Sequence, residues 1–296
     1  MKTEKELQTQ TTSVAPKKYL RINGLKMAYT EAGTGSPIIF LHGNPTSSYI
    51  WRNIIPLVQD FGCCIAPDLM GMGDSDRLND PEEYTYGTYK MFLDEFLNGL
   101  DIQKDIIFVV HDWGSVLAFD WARNHPDKVK GIVYMEAITM PRTWDEVPGP
   151  ARETFQKLRS EEGEKMIIFE NSFIEFNLPK SVLRPLSEAE MAEYRRPFTD
   201  PGESRRPMLS WARQLPIGGE PAEIIKIVND NTRWLSESSI PKLFIEARPG
   251  TLSKAEKENC THWPNQTHVT VVGHHNLQED SAADIGMAMA QWLRML

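Results

Sequence analysis

Apolar residues along the chain cluster in short unbroken runs. Pro37-Ile-Ile-Phe-Leu41, Cys63-Cys-Ile-Ala66, Ile106-Ile-Phe-Val-Val110, Gly131-Ile-Val-Tyr-Met135, Pro241-Lys-Leu-Phe-Ile245 and His268-Val-Thr-Val-Val272 all have this form, with at most one or two polar interruptions. Short runs without alternation predict strands buried on both faces, as in a parallel sheet covered by helices. Between them, apolar residues recur at helical spacing from Tyr89 to Leu100, and again where Ile285, Met289, Trp292, Leu293 and Leu296 share one face. Strand and helix in alternation imply an α/β domain with right-handed crossovers. Near the start, Asn23-Gly24 lies between Leu20 and Ile22 on one side and Leu25 and Met27 on the other, which predicts a hairpin.

The alternation stops between about Ile138 and Ser239. Pro148, Pro150, Pro179, Pro185, Pro197, Pro201, Pro207, Pro216 and Pro221 fall there among many charges, and predict short helices with proline stops. We read residues 138–225 as a helical cap inserted into a core made of 19–137 and 226–296, behind a flexible tail, 1–18. An insertion at that point is placed to cover the C-terminal strand ends, where open α/β sheets assemble their sites.

Composition narrows the partners. A net charge of −9 without a Lys/Arg stripe argues against nucleic acid. The chain has no apolar run long enough to span a bilayer and no signal-peptide core, so no membrane partner and a cytoplasmic location are expected. Three cysteines, Cys63, Cys64 and Cys260, suit neither a disulfide framework nor a zinc site and read as buried thiols. No metal-ligand spacing and no dinucleotide-binding glycine loop occur, so no cofactor is expected. A monomer is expected, with an oligomer as the alternative.

The chemistry centres on Ile106-Ile-Phe-Val-Val-His-Asp-Trp-Gly-Ser115. A buried strand runs into a small-residue turn and then a helix, Val116-Leu-Ala-Phe-Asp-Trp-Ala122. This is the setting of a nucleophile elbow, with Asp112 where serine is usual and Val110 in place of the first glycine. On local sequence alone Asp112 reads equally well as a helix N-cap. Chain order shifts the balance, because an α/β hydrolase needs nucleophile, acid and histidine in that order. Glu136 ends the strand after the elbow, and His275 follows the last strand, with its neighbour His274 as a rival. The turn His42-Gly-Asn-Pro45 offers the Asn44 backbone N–H for an oxyanion hole, and Trp113, after the nucleophile, offers the second.

A carboxylate nucleophile is ionised at neutral pH and attacks sp³ carbon to give an alkyl ester. His275 is then free to activate water for ester hydrolysis, with Glu136 balancing the imidazolium. A departing halide needs donors: the Trp113 indole N–H and the Asn44 amide provide them.

At these residues the chain resembles the haloalkane dehalogenases. The resemblance rests on His42-Gly-Asn-Pro-Thr-Ser-Ser-Tyr-Ile-Trp51, Pro67-Asp-Leu-Met-Gly-Met-Gly-Asp-Ser-Asp76, His111-Asp-Trp-Gly-Ser115, Met135-Glu-Ala137, Arg184-Pro-Leu-Ser-Glu-Ala-Glu190, Arg205-Arg-Pro-Met-Leu-Ser-Trp211 and Gln278-Glu-Asp280. It implies an α/β-hydrolase fold with a helical cap, and hydrolysis of small halogenated hydrocarbons by water to alcohol and halide. It implies Asp112 as nucleophile, His275 as base, Glu136 as acid and Asn44 with Trp113 as the halide pair. It also implies Phe173 and Pro216, in the cap, as apolar lining of the halide pocket. The chain departs from the family pattern at His274 and Asn276 around the base, at Ala212 where proline is common, and at Asn177 where an apolar tunnel residue is common.

Two other activities fit the same polar set. Epoxide hydrolases share the His-Asp-Trp-Gly elbow, but they need cap tyrosines and usually take their acid after a later strand. Here the cap has only Tyr194, and Glu246 is the candidate later acid. Coelenterazine-dependent luciferases, which are monooxygenases, resemble the chain across core and cap, including Ser160-Glu-Glu-Gly-Glu-Lys165.

Overall fold

The computed structural model describes residues 16–296. The hairpin forms as the Asn-Gly turn predicts: β1 (Lys18–Ile22) and β2 (Leu25–Ala32) pair antiparallel across Asn23 and Gly24, both at positive φ. The apolar runs become β3 (Pro37–Leu41), β4 (Cys63–Pro67), β5 (Ile106–Asp112), β6 (Val129–Ala137), β7 (Lys242–Pro249) and β8 (Gln266–Gly273). They join one eight-stranded sheet in the order β1-β2-β4-β3-β5-β6-β7-β8, parallel from β4 to β8. β3 and β5 are neighbours across the point where the strand order reverses, so the loops leaving their C-terminal ends open into the crevice where such sheets bind ligands.

The strand pattern explains the two-sided core. Ile39, Leu41, Phe108, Val110, Ile132, Tyr134 and Phe244 face one side, while Ile38, Phe40, Ile107, Val109, Val133, Met135, Leu243 and Ile245 face the other. Both sides are buried, so period-2 alternation carries no polarity and the strands read as solid apolar runs. Each fully buried side chain of this size contributes about 1.5–3 kcal/mol. The first face is covered by the helices Tyr86–Gly99, Trp113–Asn124 and Ala222–Glu237, and the second by Ile55–Val58 and Ala282–Leu293. At Gly131 on β6 an added Cβ would come within 2.6 Å of the Trp292 ring, so the C-terminal helix sits down on a bare backbone.

Between β6 and β7 lie short helices, as the prolines predict, with two π-helical turns, Glu164–Phe169 and Phe173–Asn177. Irregular backbone leaves carbonyls to satisfy, and the buried Arg205 and half-buried Arg159 supply donors. Arg205 donates to the carbonyls of Phe198, Ile168, Phe169 and Thr199, and Arg159 to those of Leu215, Ile217 and Glu220. Apolar cap residues, among them Phe173, Met208, Leu209 and Trp211, join the first-face core rather than forming one of their own.

Two of the expected boundaries fall on ordered elements. The helix Ala222–Glu237 runs through the expected cap boundary at 225/226 and packs on the helix Trp113–Asn124. A packed helix is not divided between units, so we propose that the cap ends before residue 222. The expected tail 1–18 falls outside the described residues up to residue 15, but Lys18 opens β1 and Lys17 Nζ lies 2.5 Å from the buried Asp68. Cys64 and Cys260 are buried, and burial pushes their thiols up to about 12, while Cys63 is half-buried. Among the described residues no helix is long and apolar enough to cross a membrane.

Candidate active site

Asp112 closes β5 at φ 49°, ψ −126°, a turn that swings its carboxylate out over the strand ends. The helix Trp113–Asn124 starts at the next residue, and no side-chain cap is made by Asp112. The N-cap reading is thus set aside on geometry: the carboxylate turns toward the His42–Asn44 loop. Such a turn needs small neighbours. A Cβ at Gly43 would lie 2.1 Å from Asp112 Oδ1, and one at Gly114 would lie 2.3 Å from the Leu41 carbonyl.

The Asn44 N–H donates to Asp112 Oδ1 at 2.8 Å, and the Trp113 N–H also bonds the carboxylate. Burial raises the Asp112 pKa, and the His275 charge and these two donors oppose that rise. The donors thus sit where the ester carbonyl of an Asp112 adduct would carry its oxyanion. His42 stiffens their loop. Its Nε2 accepts from the Leu69 N–H at 2.9 Å, leaving Nδ1 to donate to the Gly43 carbonyl at 2.9 Å. Burial lowers the His42 pKa to about 4, in keeping with a neutral ring.

Glu136 reaches the site through an irregularity in the sheet. The β5–β6 register runs His111 to Met135 but Asp112 to Ala137, so Glu136 is an extra residue, at φ 42°. Bulges of this kind re-aim a side chain. Its carboxylate is sealed from solvent and lies 3.3 Å from His275 Nδ1. On the opposite side of the ring His275 Nε2 is 3.7 Å from Asp112 Oδ2, and the imidazole keeps 24% of its exposure. Burial disfavours the His275 imidazolium, but the Glu136 hydrogen bond and the Asp112 charge outweigh it and the pKa rises.

His275 is the histidine that meets both carboxylates. The His274 N–H donates to Asp280 Oδ2, and its ring makes no contact with Asp112 among the described contacts. Glu246 is engaged elsewhere, with Arg248, Lys257 and, at 3.0 Å, His268. Tyr194 donates to Glu279 at 2.5 Å, inside a buried cluster with Arg52, Glu190 and Arg184 that ties the segment after His275 to the cap.

The cap meets the expected halide pair directly. Trp113 is buried with its ring 4.4 Å from that of Trp211, and its indole Nε1 has no hydrogen-bond partner among the described residues. Asn44 donates from Nδ2 to the Met208 carbonyl at 3.0 Å, which leaves its second amide hydrogen. Phe173 is buried in the same cluster as Trp113 and Met208. Pro216 is buried too, and its carbonyl accepts from the Arg142 N–H at 2.9 Å.

Sequence reasoning missed several partners. Thr251 donates from its N–H to Glu136 Oε2 at 2.9 Å and from its hydroxyl to the same oxygen. His111 Nε2 lies 2.8 Å from the His275 carbonyl, an acceptor only, so Nε2 carries the proton. Burial and the nearby His275 charge keep the His111 pKa well below its ordinary value. Asn276, noted only as a departure from pattern, bonds Ser181 of the cap through both backbone N–H and side chain. None of these contacts has a local sequence signal, because each joins segments far apart in the chain.

The fold and the elbow together define an α/β hydrolase with a carboxylate at the nucleophile position. The sequence profile of the α/β hydrolase fold matches residues 36–162. A haloalkane dehalogenase of Sphingobium indicum is 54% identical over 95% of this chain and 96% of its own, and one of Mycolicibacterium smegmatis is 47% identical over 93% and 90%. The crystal structure of a haloalkane dehalogenase from Bradyrhizobium elkani superposes with a TM-score of 0.90 at 41% identity, covering 95% of this chain and 98% of that one. The chain belongs to the haloalkane dehalogenase family.

Proposed function

We propose that the protein cleaves carbon–halogen bonds of small haloalkanes with water, through an ester on Asp112. In the first step Asp112 Oδ2, the oxygen not held by the Asn44 N–H, attacks the halogen-bearing carbon from behind. The C–O bond forms as the carbon–halogen bond breaks, and the halide departs with the bonding pair. The Trp113 indole N–H and the free Asn44 amide hydrogen stabilise the charge that grows on it. In the second step His275 Nε2 takes a proton from water, which attacks the ester carbonyl. The Asn44 and Trp113 backbone N–H groups hold the oxyanion, and Glu136 balances the imidazolium. Collapse breaks the bond to the alkyl oxygen, which leaves as the alcohol with the proton returned by His275, and the proton left on the acid is lost to solvent, regenerating the Asp112 carboxylate. Phe173 and Pro216 are proposed as apolar lining of the halide site.

One observation carries this reading: one oxygen of Asp112 is held by a backbone donor while the other faces His275 at 3.7 Å. The epoxide reading lacks its proton donor, because the cap tyrosine, Tyr194, is spent on Glu279. The test is His275→Ala with a bromoalkane. Intact-mass spectrometry is expected to find the alkyl ester on Asp112; an unmodified mass with substrate bound overturns the mechanism. Parallel incubation with 1,2-dibromoethane and with coelenterazine separates the luciferase alternative. Bromide release without light is expected, and light without bromide refutes the assignment.

A further inference from the structure

The loop that leaves β7 carries a hydroxyl into the space between the acid and the base. Gly250 stands at φ 63°, and a Cβ there would come within 2.7 Å of Glu136 Oε1, so the loop backbone lies directly against the carboxylate. The next residue, Thr251, donates its N–H to both Glu136 oxygens, at 2.9 and 3.2 Å. Its hydroxyl donates to Glu136 Oε2 and lies 3.3 Å from His275 Nδ1. The position is held from behind. Arg142 Nη2 donates to the Thr251 carbonyl at 3.4 Å, and Arg142 is paired with Glu256, the residue that completes the capping box with Ser253.

Proton placement follows from the acceptors. A carboxylate only accepts, so the Thr251 hydroxyl proton points at Glu136 and the oxygen's lone pairs are left toward His275. The His275 Nδ1 proton then has two acceptors at equal distance, Glu136 Oε2 and Thr251 Oγ1, both 3.3 Å away. We propose that Thr251 is a positioning residue for ester hydrolysis, its hydroxyl closing a three-way bridge with Glu136 and His275 that fixes the imidazole plane and tempers the acid's hold on it. The inference rests on the roles proposed above for Glu136 and His275. A donor on Glu136 stabilises its charge and weakens its pull on the imidazolium proton. The other groups facing His275 are Asp112 and the neutral His111, with Arg142 farther off, and Thr251 is the uncharged member of the set. Thr251 is itself exposed, so exchanging it leaves the core untouched.

Thr251→Val keeps the shape and the backbone N–H and deletes the hydroxyl; Thr251→Ser keeps the hydroxyl. With the full-length enzyme and 1,2-dibromoethane, rapid quench measures ester formation and ester hydrolysis separately across pH. In Thr251→Val the acid limb of ester hydrolysis is expected to move up by about 0.5–1 pH unit, which on the acid side slows that step ~3–10-fold. Ester formation stays at the wild-type rate, and Thr251→Ser restores the limb. A Thr251→Val limb at the wild-type pH, or a Thr251→Ser enzyme as shifted as Thr251→Val, overturns the inference. His275→Ala is run alongside. If it traps the ester while Thr251→Val is unshifted, only the role of Thr251 falls; if it traps nothing, the reading of His275 falls with it.

Discussion

The indole N–H of Trp113 is proposed as a donor to the departing halide, and Trp113→Phe tests that role apart from stability. The Trp113 ring is buried against Trp211, and its Nε1 has no hydrogen-bond partner among the described residues. Phenylalanine removes the donor and leaves a smaller ring against Trp211, and the resulting void costs ~1 kcal/mol. A loss of that size lowers the melting temperature by only a few degrees. Alkylation behaves differently. Charge builds on the leaving halogen beside a buried indole, and a donor aimed there acts on the transition state more than on the neutral substrate. Losing one such donor costs about 10²–10³-fold in rate, or about 2.7–4 kcal/mol. Rapid quench with a bromoalkane reads the alkylation rate, and product inhibition by bromide reads the ground-state site. Unchanged alkylation and unchanged bromide inhibition, in a folded variant, would refute the placement of the leaving group at Trp113.

Four further outcomes follow from the same geometry. Neutral His275 is the base, and its pKa lies above the ordinary 6.5, so ester hydrolysis is expected to fall as pH drops through that raised value. The stability gained from its partners is complete below 6.5 and is lost as pH rises through the raised value, so a melting temperature insensitive to pH across that window would contradict the pairing. Glu136→Gln should slow ester hydrolysis by about 10²-fold or more, whereas Glu246→Gln should leave turnover near wild type; the reverse result in the same assay would move the acid to β7. Arg52→Met leaves the buried Glu190 and Glu279 to share Arg184 and should cost about 3 kcal/mol in urea denaturation; no loss would show that the Arg52 pairs contribute nothing. Halide release is expected to survive EDTA and dialysis, because an ionised carboxylate needs no metal to attack carbon, and activity restored only by a divalent cation would contradict that.

How far the site was legible depended on whether its signal was local. The elbow was readable because a buried strand, a small-residue turn and a helix are consecutive. Even so, its local sequence fitted an N-cap as well as a nucleophile; chain order and the resemblance favoured the nucleophile, and the positive φ of Asp112 and the Asn44 contact support that reading. Chain order proposed Glu136 and left Glu246 open. What brings Glu136 against His275 is a one-residue slip in the β5–β6 register, which no periodicity encodes. The proposal that the cap ends before residue 222 has a related basis: the helix Ala222–Glu237 continues past residue 225 because its apolar face packs on the elbow helix, a contact invisible from composition.

The sequence by itself determined the layered α/β architecture, the hairpin at Asn23-Gly24, the elbow and the interruption that becomes the cap. These follow from periodicity and turn chemistry, which act between residues close in the chain. Only the tertiary structure decided that His275 rather than His274 meets the two carboxylates, that Met208 orients the Asn44 amide, and that Thr251 stands between acid and base. Those outcomes depend on strand ends and loops converging from distant segments, where differences of about one hydrogen-bond length decide which group makes the contact.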